Sequence, residues 1–308
     1  MNSVHKTVLL NETIEGLLAH RSFSEDRNEK FIVVDGTFGG GGHSAFICKK
    51  YPGVKIIAID SDAGAYEKVK DKFEGFKSDI TFVNDNFRNL DKVLKKVGVD
   101  EVDGIIFDLG LSSDQLENSG RGFSFMKDEP LQMTMKENPR PEDVTAYDVV
   151  NTWEEKNLAD IIYGYGEEQF SRRIAKGIVE ARKNREIKTT FDLVKIIEDS
   201  VPNFYRKGKI NCATKTFQAI RIAVNDELGA LEEGLEKGVN SLKTDGRMSV
   251  ISFHSLEDRI VKRFFKKLEK EGKLKLINKK PITPNREEIL NNKRSRSAKL
   301  RIIEKITA

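Results

Sequence analysis

Phe31-Ile32-Val33-Val34-Asp35-Gly36-Thr37-Phe38-Gly39-Gly40-Gly41-Gly42-His43-Ser44-Ala45 reads as a buried strand, an acid and a run of glycines that opens a helix. Short runs of β-branched and aromatic residues bounded by turn residues mark strands covered on both faces. Consecutive glycines let a backbone turn sharply and approach a ligand closely, while free N–H groups at a helix start attract anionic or polar groups. One glycine suffices for a strand-to-helix turn, so four in succession point to a nucleotide-like ligand.

Downstream, KIIAI (55–59), ITFV (80–83) and GIIF (104–107) repeat the strand pattern, and three of the four runs lead into acids: Asp35, Asp60 and Asp108. Segments 63–73 and 90–97 are long enough for crossover helices, which makes the order β-α-β-α-β-α-β and the fold a doubly wound α/β sheet with right-handed crossovers. Ligands of such sheets bind beyond the carboxyl ends of the strands, where the three acids fall. The next strand-like run is MSVISF (248–253), much further on than a single helical crossover requires. Between them the text reads as loops and helices, with helices expected over 153–163 and 167–183, another capped by Thr190 from Phe191, and a returning helix over 216–234. The expected organisation is a discontinuous α/β domain, residues 1–110 and 215–308, carrying a helical insertion over 111–214. KLRII (299–303) is expected as a last edge strand.

The ligand is less easily read than its site. Gly40-Gly41-Gly42-His43-Ser44-Ala45 satisfies G-x-G-x-x-A, and Asp60 follows about 20 residues later, placed for ribose hydroxyls; this pattern serves NAD and S-adenosylmethionine alike. Asp35 beneath the glycines favours the second, because a negative charge there suits a cationic ligand better than a pyrophosphate. Asn84-Asp85-Asn86-Phe87 offers polar groups and a ring suited to adenine, although core packing is the more ordinary role of a lone Phe87.

With 38% hydrophobic and 33% charged residues in 308, the chain has the composition of a globular protein and the length of about two domains. Charges interrupt every apolar stretch well before about 18 residues, so no membrane span is expected. The opening MNSVHKTVLLNETIEG lacks the basic and apolar regions of a secretory signal, and Cys48 and Cys212 have neither metal-ligand spacing nor disulfide density. These features suit the cytoplasm and suggest no metal. Residues 254–308 hold 17 Lys and Arg against 7 Asp and Glu, a net +10, while the rest of the chain carries −6. A polyanionic partner fits that polarity, as does a plain solvated basic tail.

DGTFGGGGH (35–43), AIDSD (58–62), FDLGLSSDQL (107–116), RGFSF (121–125), TFQAIRIAVNDELG (216–229) and SVISFHSLEDRIVKRFF (249–265) resemble the MraW/RsmH family of bacterial 16S ribosomal RNA methyltransferases. Matching positions run from His5 to Arg301. The resemblance implies a class I, Rossmann-like methyltransferase fold with an inserted helical domain that recognises RNA. It also implies S-adenosylmethionine-dependent N4-methylation of a cytidine in the decoding region of 16S rRNA, within the small ribosomal subunit. Carried over by position, its cofactor contacts fall on Gly41, Gly42, His43, Asp60, Phe87, Asp108 and Gln115, beside Asp35 from the reading above. The chain departs from the family at Glu129, Gln132 and Thr134 and at Asn211-Cys212, all in the insertion. A homodimer is left open.

Methyl transfer from a sulfonium is an in-line displacement that needs positioning and no covalent nucleophile, so no residue is assigned a catalytic role. Hydrogen-bond acceptors at the cytosine amine would localise its lone pair; Asp108, Ser112 and Ser113 are candidates, with Asp108 favoured for the cofactor. His254 and Ser255 follow the fifth strand and face the same crevice, where His254 orders a base or simply fixes a loop and Ser255, Glu257 and Asp258 start a helix. Phe123 and Phe125 are candidates for base stacking or for burial. Arg294, with neighbouring basic residues of the tail and of 172–185, is a candidate phosphate contact. Two other classes remain compatible with parts of the sequence: an NAD-dependent oxidoreductase, from the glycine turn alone, and a non-catalytic RNA-binding or assembly factor, from the basic tail alone.

Overall fold

The computed structural model describes residues 7–18 and 31–306. His5 and the first residues of the opening segment lie outside them. The chain divides into two compact units, Met1–Leu111 with Leu228–Ala308, and Ser112–Glu227.

In chain order, the first unit contributes α1 (Leu10–Leu18), β1 (Ile32–Asp35), α2 (Gly42–Lys50), β2 (Lys55–Asp60), β3 (Asp79–Asn84), α3 (Leu90–Lys96) and β4 (Val102–Asp108). The second contributes α4 (Ser113–Asn118), α5 (Ala146–Thr152), α6 (Glu155–Gly166), α7 (Ser171–Arg182), α8 (Thr190–Ser200), α9 (Asn203–Arg206) and α10 (Thr214–Asn225). The chain returns through α11 (Glu227–Ser241), β5 (Leu242–Ser252), α12 (Ser255–Lys270), β6 (Leu274–Leu276), α13 (Arg286–Asn291) and β7 (Lys299–Lys305).

The seven strands form one sheet in the order β3-β2-β1-β4-β5-β7-β6. β1 to β5 are mutually parallel, and β7 runs antiparallel between β5 and β6. Successive strand residues feed opposite layers: Ile57, Ile59, Ile105 and Phe107 pack with α3, α11 and α12, whereas Ile56, Ala58 and Ile106 pack with α1 and α2. Burial on both faces is why these strands read as continuous apolar runs. Strand order reverses between β1 and β4, which opens a crevice at their carboxyl ends.

Several sequence expectations change. Segment 63–73 is not a crossover helix but a chain of turns ending in a 3-10 turn, Lys70–Phe73. Its Tyr66 and Phe73 rings pack with Phe38 and Phe82 over the flank of the sheet, and that aromatic cluster outweighs a helix-like spacing that starts beside Gly64. The helix expected over 216–234 is two helices broken at Asp226, which is left-handed at φ 46°. Asn225 there turns its side chain to loop backbone, accepting from the Met135 N–H (2.8 Å) and donating to the Met133 carbonyl (2.7 Å). The second unit accordingly extends to Glu227, beyond the return at 215 expected from the sequence. Thr190 is the first residue of α8; the cap is Thr189, closed by Asp192. The short edge strand β6 has no sequence signal, being three residues long.

In the second unit α6, α7, α8 and α10 bury Leu158 and Ile162, Ile174 and Ile178, Leu193 and Ile197, and Phe217 and Ile220. These are one-sided helical stripes of the ordinary kind.

Candidate functional site

The glycine turn sits at the carboxyl end of β1 and is pinned to its neighbours by backbone bonds. The Gly36 N–H donates to the Ile106 carbonyl (2.9 Å) and the Phe38 N–H to the Ile59 carbonyl (3.0 Å). Gly41, buried at φ +67°, is the residue before α2, a conformation that favours glycine. At Gly42 a Cβ would fall 1.8 Å from Thr7 Oγ1, so any other residue there requires the Thr7 side chain to move.

Each parallel strand ends on a polar group. Asp60, closing β2, accepts the Gly39 N–H (2.7 Å) and the Asp62 N–H (2.8 Å), so it holds the glycine turn as well as facing the crevice. Burial raises its carboxyl above the usual range, opposed by those two bonds. Asp35, closing β1, is buried and accepts the Ser44 hydroxyl (2.6 Å); burial is the main reason its carboxyl is raised to about 6. Asp108, closing β4, has one-fifth of its side chain open to solvent. Its backbone N–H donates to Thr37 Oγ1 (2.6 Å), Oδ2 lies 3.8 Å from His43 Nδ1, and Oδ1 is buried with no hydrogen-bond partner among the described residues. Burial, then the charges of Asp35 and Glu257, push this carboxyl up to about 8. Among the described residues no Lys or Arg offsets the Asp35 and Asp108 carboxyls, although Lys72 Nζ donates to the Gly40 carbonyl of the turn (2.9 Å).

Phe87 packs against Phe107 with ring centroids 4.8 Å apart and is part-buried at the edge of the core. Asn84 donates back to the Asp60 carbonyl (2.8 Å). His254 caps α12: its Nδ1 accepts the Glu257 N–H (3.4 Å), while Glu257 accepts the Phe253 N–H (2.8 Å) and the His254 N–H (3.2 Å). Ser255 is exposed as the first residue of that helix. Asp258 lies in the first turn of α12 as expected, and it also bonds Arg301 Nε (2.7 Å) and Lys299 Nζ (3.1 Å) on β7. The sequence reading missed Glu257 as a rim acid and Thr37 as the acceptor of Asp108; His254-x-x-Glu257, with the spacing of a capping box, was the available signal for the first.

The second unit holds the other candidates. Ser112 caps α4 in a capping box, accepting the Gln115 N–H (3.1 Å) while Gln115 Oε1 accepts the Ser112 N–H (3.0 Å). Ser113 is the part-buried first residue of that helix. Ser112-Ser113-Asp114-Gln115 carried that signature too, so the Ser112 hydroxyl and the Gln115 carbonyl are structural first. Neither phenylalanine of 121–125 projects as a free platform: Phe123 is buried beneath the Arg121 guanidinium, and Phe125 meets Phe217 edge-on at 5.4 Å. The family departures are local supports. Glu129 accepts the Gly122 N–H (3.0 Å), Thr134 Oγ1 accepts the Lys136 N–H (3.3 Å), and Asn211 Oδ1 accepts the Ala213 N–H (2.8 Å). Gln132 uses its backbone carbonyl to receive the Ala146 N–H, and Cys212 is a buried free thiol, as is Cys48. Arg294 is exposed in the turn before β7.

A seven-stranded 3-2-1-4-5-7-6 sheet with its antiparallel seventh strand, bearing a glycine turn at the switch point, is the class I, Rossmann-like methyltransferase architecture. Residues 2–306 match the MraW methylase family, and the chain belongs to it. Ribosomal RNA small subunit methyltransferase H of Clostridium botulinum strain Kyoto is 48% identical over 324 residues, spanning 99% of this chain and 100% of the relative. The protein of the same name from Brevibacillus brevis is 42% identical over 318 residues, 98% of each chain. Among solved structures, an rRNA methylase from Streptococcus thermophilus aligns over 99% of this chain and 100% of its own at 13% identity, with a TM-score of 0.43. No helix among the described residues is long and apolar enough to cross a membrane.

Proposed function

We propose that the protein transfers a methyl group from S-adenosylmethionine to the N4 amine of a cytidine in 16S ribosomal RNA, in the cytoplasm, with the small ribosomal subunit as its setting. The observation that carries this reading is the acid-lined rim over the glycine turn, where a buried Asp108 oxygen lacks a partner among the described residues and a cationic ligand would supply one. Family membership and the names of the relatives support the RNA substrate.

S-adenosylmethionine supplies an electrophilic methyl carbon on a sulfonium. In this reading Asp35 and Asp108 provide the negative field that favours its cationic end, with His43 beside Asp108. Asp60 has further lone pairs on both oxygens for ribose hydroxyls while it keeps the Gly39 turn in shape. Gly41 and Gly42 leave the backbone bare for close approach, and Phe87 borders the adenine position. Gln115 retains its side-chain amide N–H groups for the ligand or the base, Ser112 and Ser113 open the loop in which an acceptor for the amine is expected, and Arg294 meets phosphate. The 112–227 unit is read as the RNA-recognition domain. A cytosine must be unstacked to reach a reactive carbon, which costs least where the RNA is already loop-like.

Isotope transfer from labelled S-adenosylmethionine to naked 16S RNA, to small subunits and to whole ribosomes from a strain lacking the endogenous activity tests the reading. Label recovered as N4-methylcytidine is expected, and no transfer to any RNA overturns it. Binding of NADH in place of S-adenosylmethionine would move the protein to the oxidoreductase class.

A further inference from the structure

The second unit carries an aromatic feature that the glycine site does not use. Phe204, on the four-residue helix α9, is 73% exposed, far more than a ring placed for packing. It meets Phe170 edge-on at 6.4 Å, and Phe170 in turn meets Tyr205 at 4.9 Å. Phe170 and Tyr205 are tied together, because the buried carboxylate of Glu168 accepts the Phe170 N–H (2.8 Å) on one oxygen and the Tyr205 hydroxyl (2.5 Å) on the other. Glu168 thus spends its charge inside and ties the start of α7 to α9.

Joining these segments gathers charge of one sign. Residues 170–176 and 203–209 each contain three Lys or Arg and no Asp or Glu. Arg172, Arg173, Arg206 and Lys207 are all exposed, and the Arg173 guanidinium sits 5.9 Å from the centre of the Phe170 ring. Of the acids that precede α9, Asp199 is paired with Lys195, and Glu198 acts with Arg206 on the buried Cys212 thiol. An exposed ring amid cations is the combination that binds single-stranded nucleic acid, the ring offering a face to any base and the cations tracking phosphates.

We propose that Phe204 is a stacking platform for an unpaired RNA base, with Arg173 and Lys207 contacting the flanking phosphates, a site separate from the one that holds the methyl donor. The assignment rests on the reading that the substrate is RNA. Its ligand is a single-stranded RNA segment of any sequence, since stacking is tolerant of base identity.

The test uses the full chain and a labelled 15-nucleotide oligouridylate followed by fluorescence anisotropy. Phe204→Ala and Phe204→Leu are expected to weaken binding about tenfold, in the range of one base stack removed, while Phe204→Trp retains it. Arg173→Gln with Lys207→Gln is expected to flatten the log–log salt dependence by about 1.4, or about 0.7 for each phosphate no longer neutralised. Calorimetric binding of S-adenosylmethionine should be the same for every variant, which shows that each is folded. Unchanged oligonucleotide affinity in both Phe204→Ala and Phe204→Leu overturns the proposal. So does weakened binding to small subunits with unchanged oligonucleotide affinity, which would assign the ring to a protein contact. If the unaltered protein neither binds the oligonucleotide nor methylates any RNA, the RNA reading itself fails; if it methylates RNA and the Phe204 variants behave as wild type, this inference alone fails.

Discussion

The hydroxyl of Thr37, in the loop after β1, accepts the backbone N–H of Asp108 at the end of β4 at 2.6 Å. The ladder between these strands ends where Asp35 pairs with Ile106, so this side chain satisfies an N–H after the strands have parted. Separation at the switch point and placement of the Asp108 carboxylate are therefore one event.

Thr37→Val keeps the shape and removes the acceptor. A buried N–H left unsatisfied costs about 1–3 kcal/mol, and that loss is expected in urea denaturation together with weaker binding of S-adenosylmethionine. Unaltered stability and affinity would mean that the bond positions nothing.

The Asp108 carboxyl, ordinarily near 3.8, titrates at about 8 in the fold. Between those values the folded protein retains a proton that the unfolded chain has lost, so its contribution to stability is complete below about pH 4 and disappears as pH rises through 8. A cationic ligand favours the ionised form against Asp35 and Glu257. Affinity for S-adenosylmethionine is expected to rise from pH 6 to 8 with release of a proton, measured by calorimetry in two buffers of different ionisation enthalpy. Asp108→Asn should abolish both effects, and a pH-independent affinity in the unaltered protein counts against the assignment.

Asp60→Ala removes the ribose acceptor and releases the Gly39 and Asp62 N–H groups together. With a hydrogen bond to a charged group worth about 1.5–3 kcal/mol, the dissociation constant for S-adenosylmethionine should rise about tenfold or more. A constant within twofold of wild type would remove Asp60 from the site.

At Gly41 an added Cβ would meet Phe38 Cζ at 2.9 Å and Phe73 Cζ at 3.0 Å in a left-handed backbone. Gly41→Ala is expected to lower stability by about 1–2 kcal/mol from the backbone alone and to displace the turn, seen as a lower melting temperature and a weaker cofactor complex. A melting temperature equal to wild type is the contrary result.

Arg301→Met takes the 2.7 Å partner from Asp258 and leaves Lys299. Burial alone would raise the Asp258 carboxyl, yet Arg301 and Lys299 bring it below the usual range. Its stabilisation is present above about pH 4 and lost as pH falls through the lower folded value. The variant should be about 2–3 kcal/mol less stable at pH 7 and show a shallower acid transition, checked by denaturant titration at pH 7 and pH 3. Equal losses at both pH values would point to packing instead of charge.

The sheet was legible because its strands are buried on both faces and so appear as apolar runs without alternation, each ending at a turn residue. The acids at strand ends were legible because a parallel sheet brings all such ends to one rim. By contrast, 63–73 resembled a helix because spacing reports neighbours along the chain, whereas the rings of Tyr66, Phe73, Phe38 and Phe82 meet across it. Asp258 is the helix-start acid the sequence implied, whereas its partner Arg301 on β7, 43 residues away, was not legible for the same reason.

Residue order alone thus established the run of parallel strands along the chain, the glycine bend and which acids close which strand, since these follow from local patterning and chain continuity. Folding decided the chemistry of those acids. Their ionisation depends on burial and on charges from distant segments, such as Glu257 acting on Asp108, and so does the meeting of Phe170 with Phe204. Distances through space set such energies, and linear spacing does not contain them.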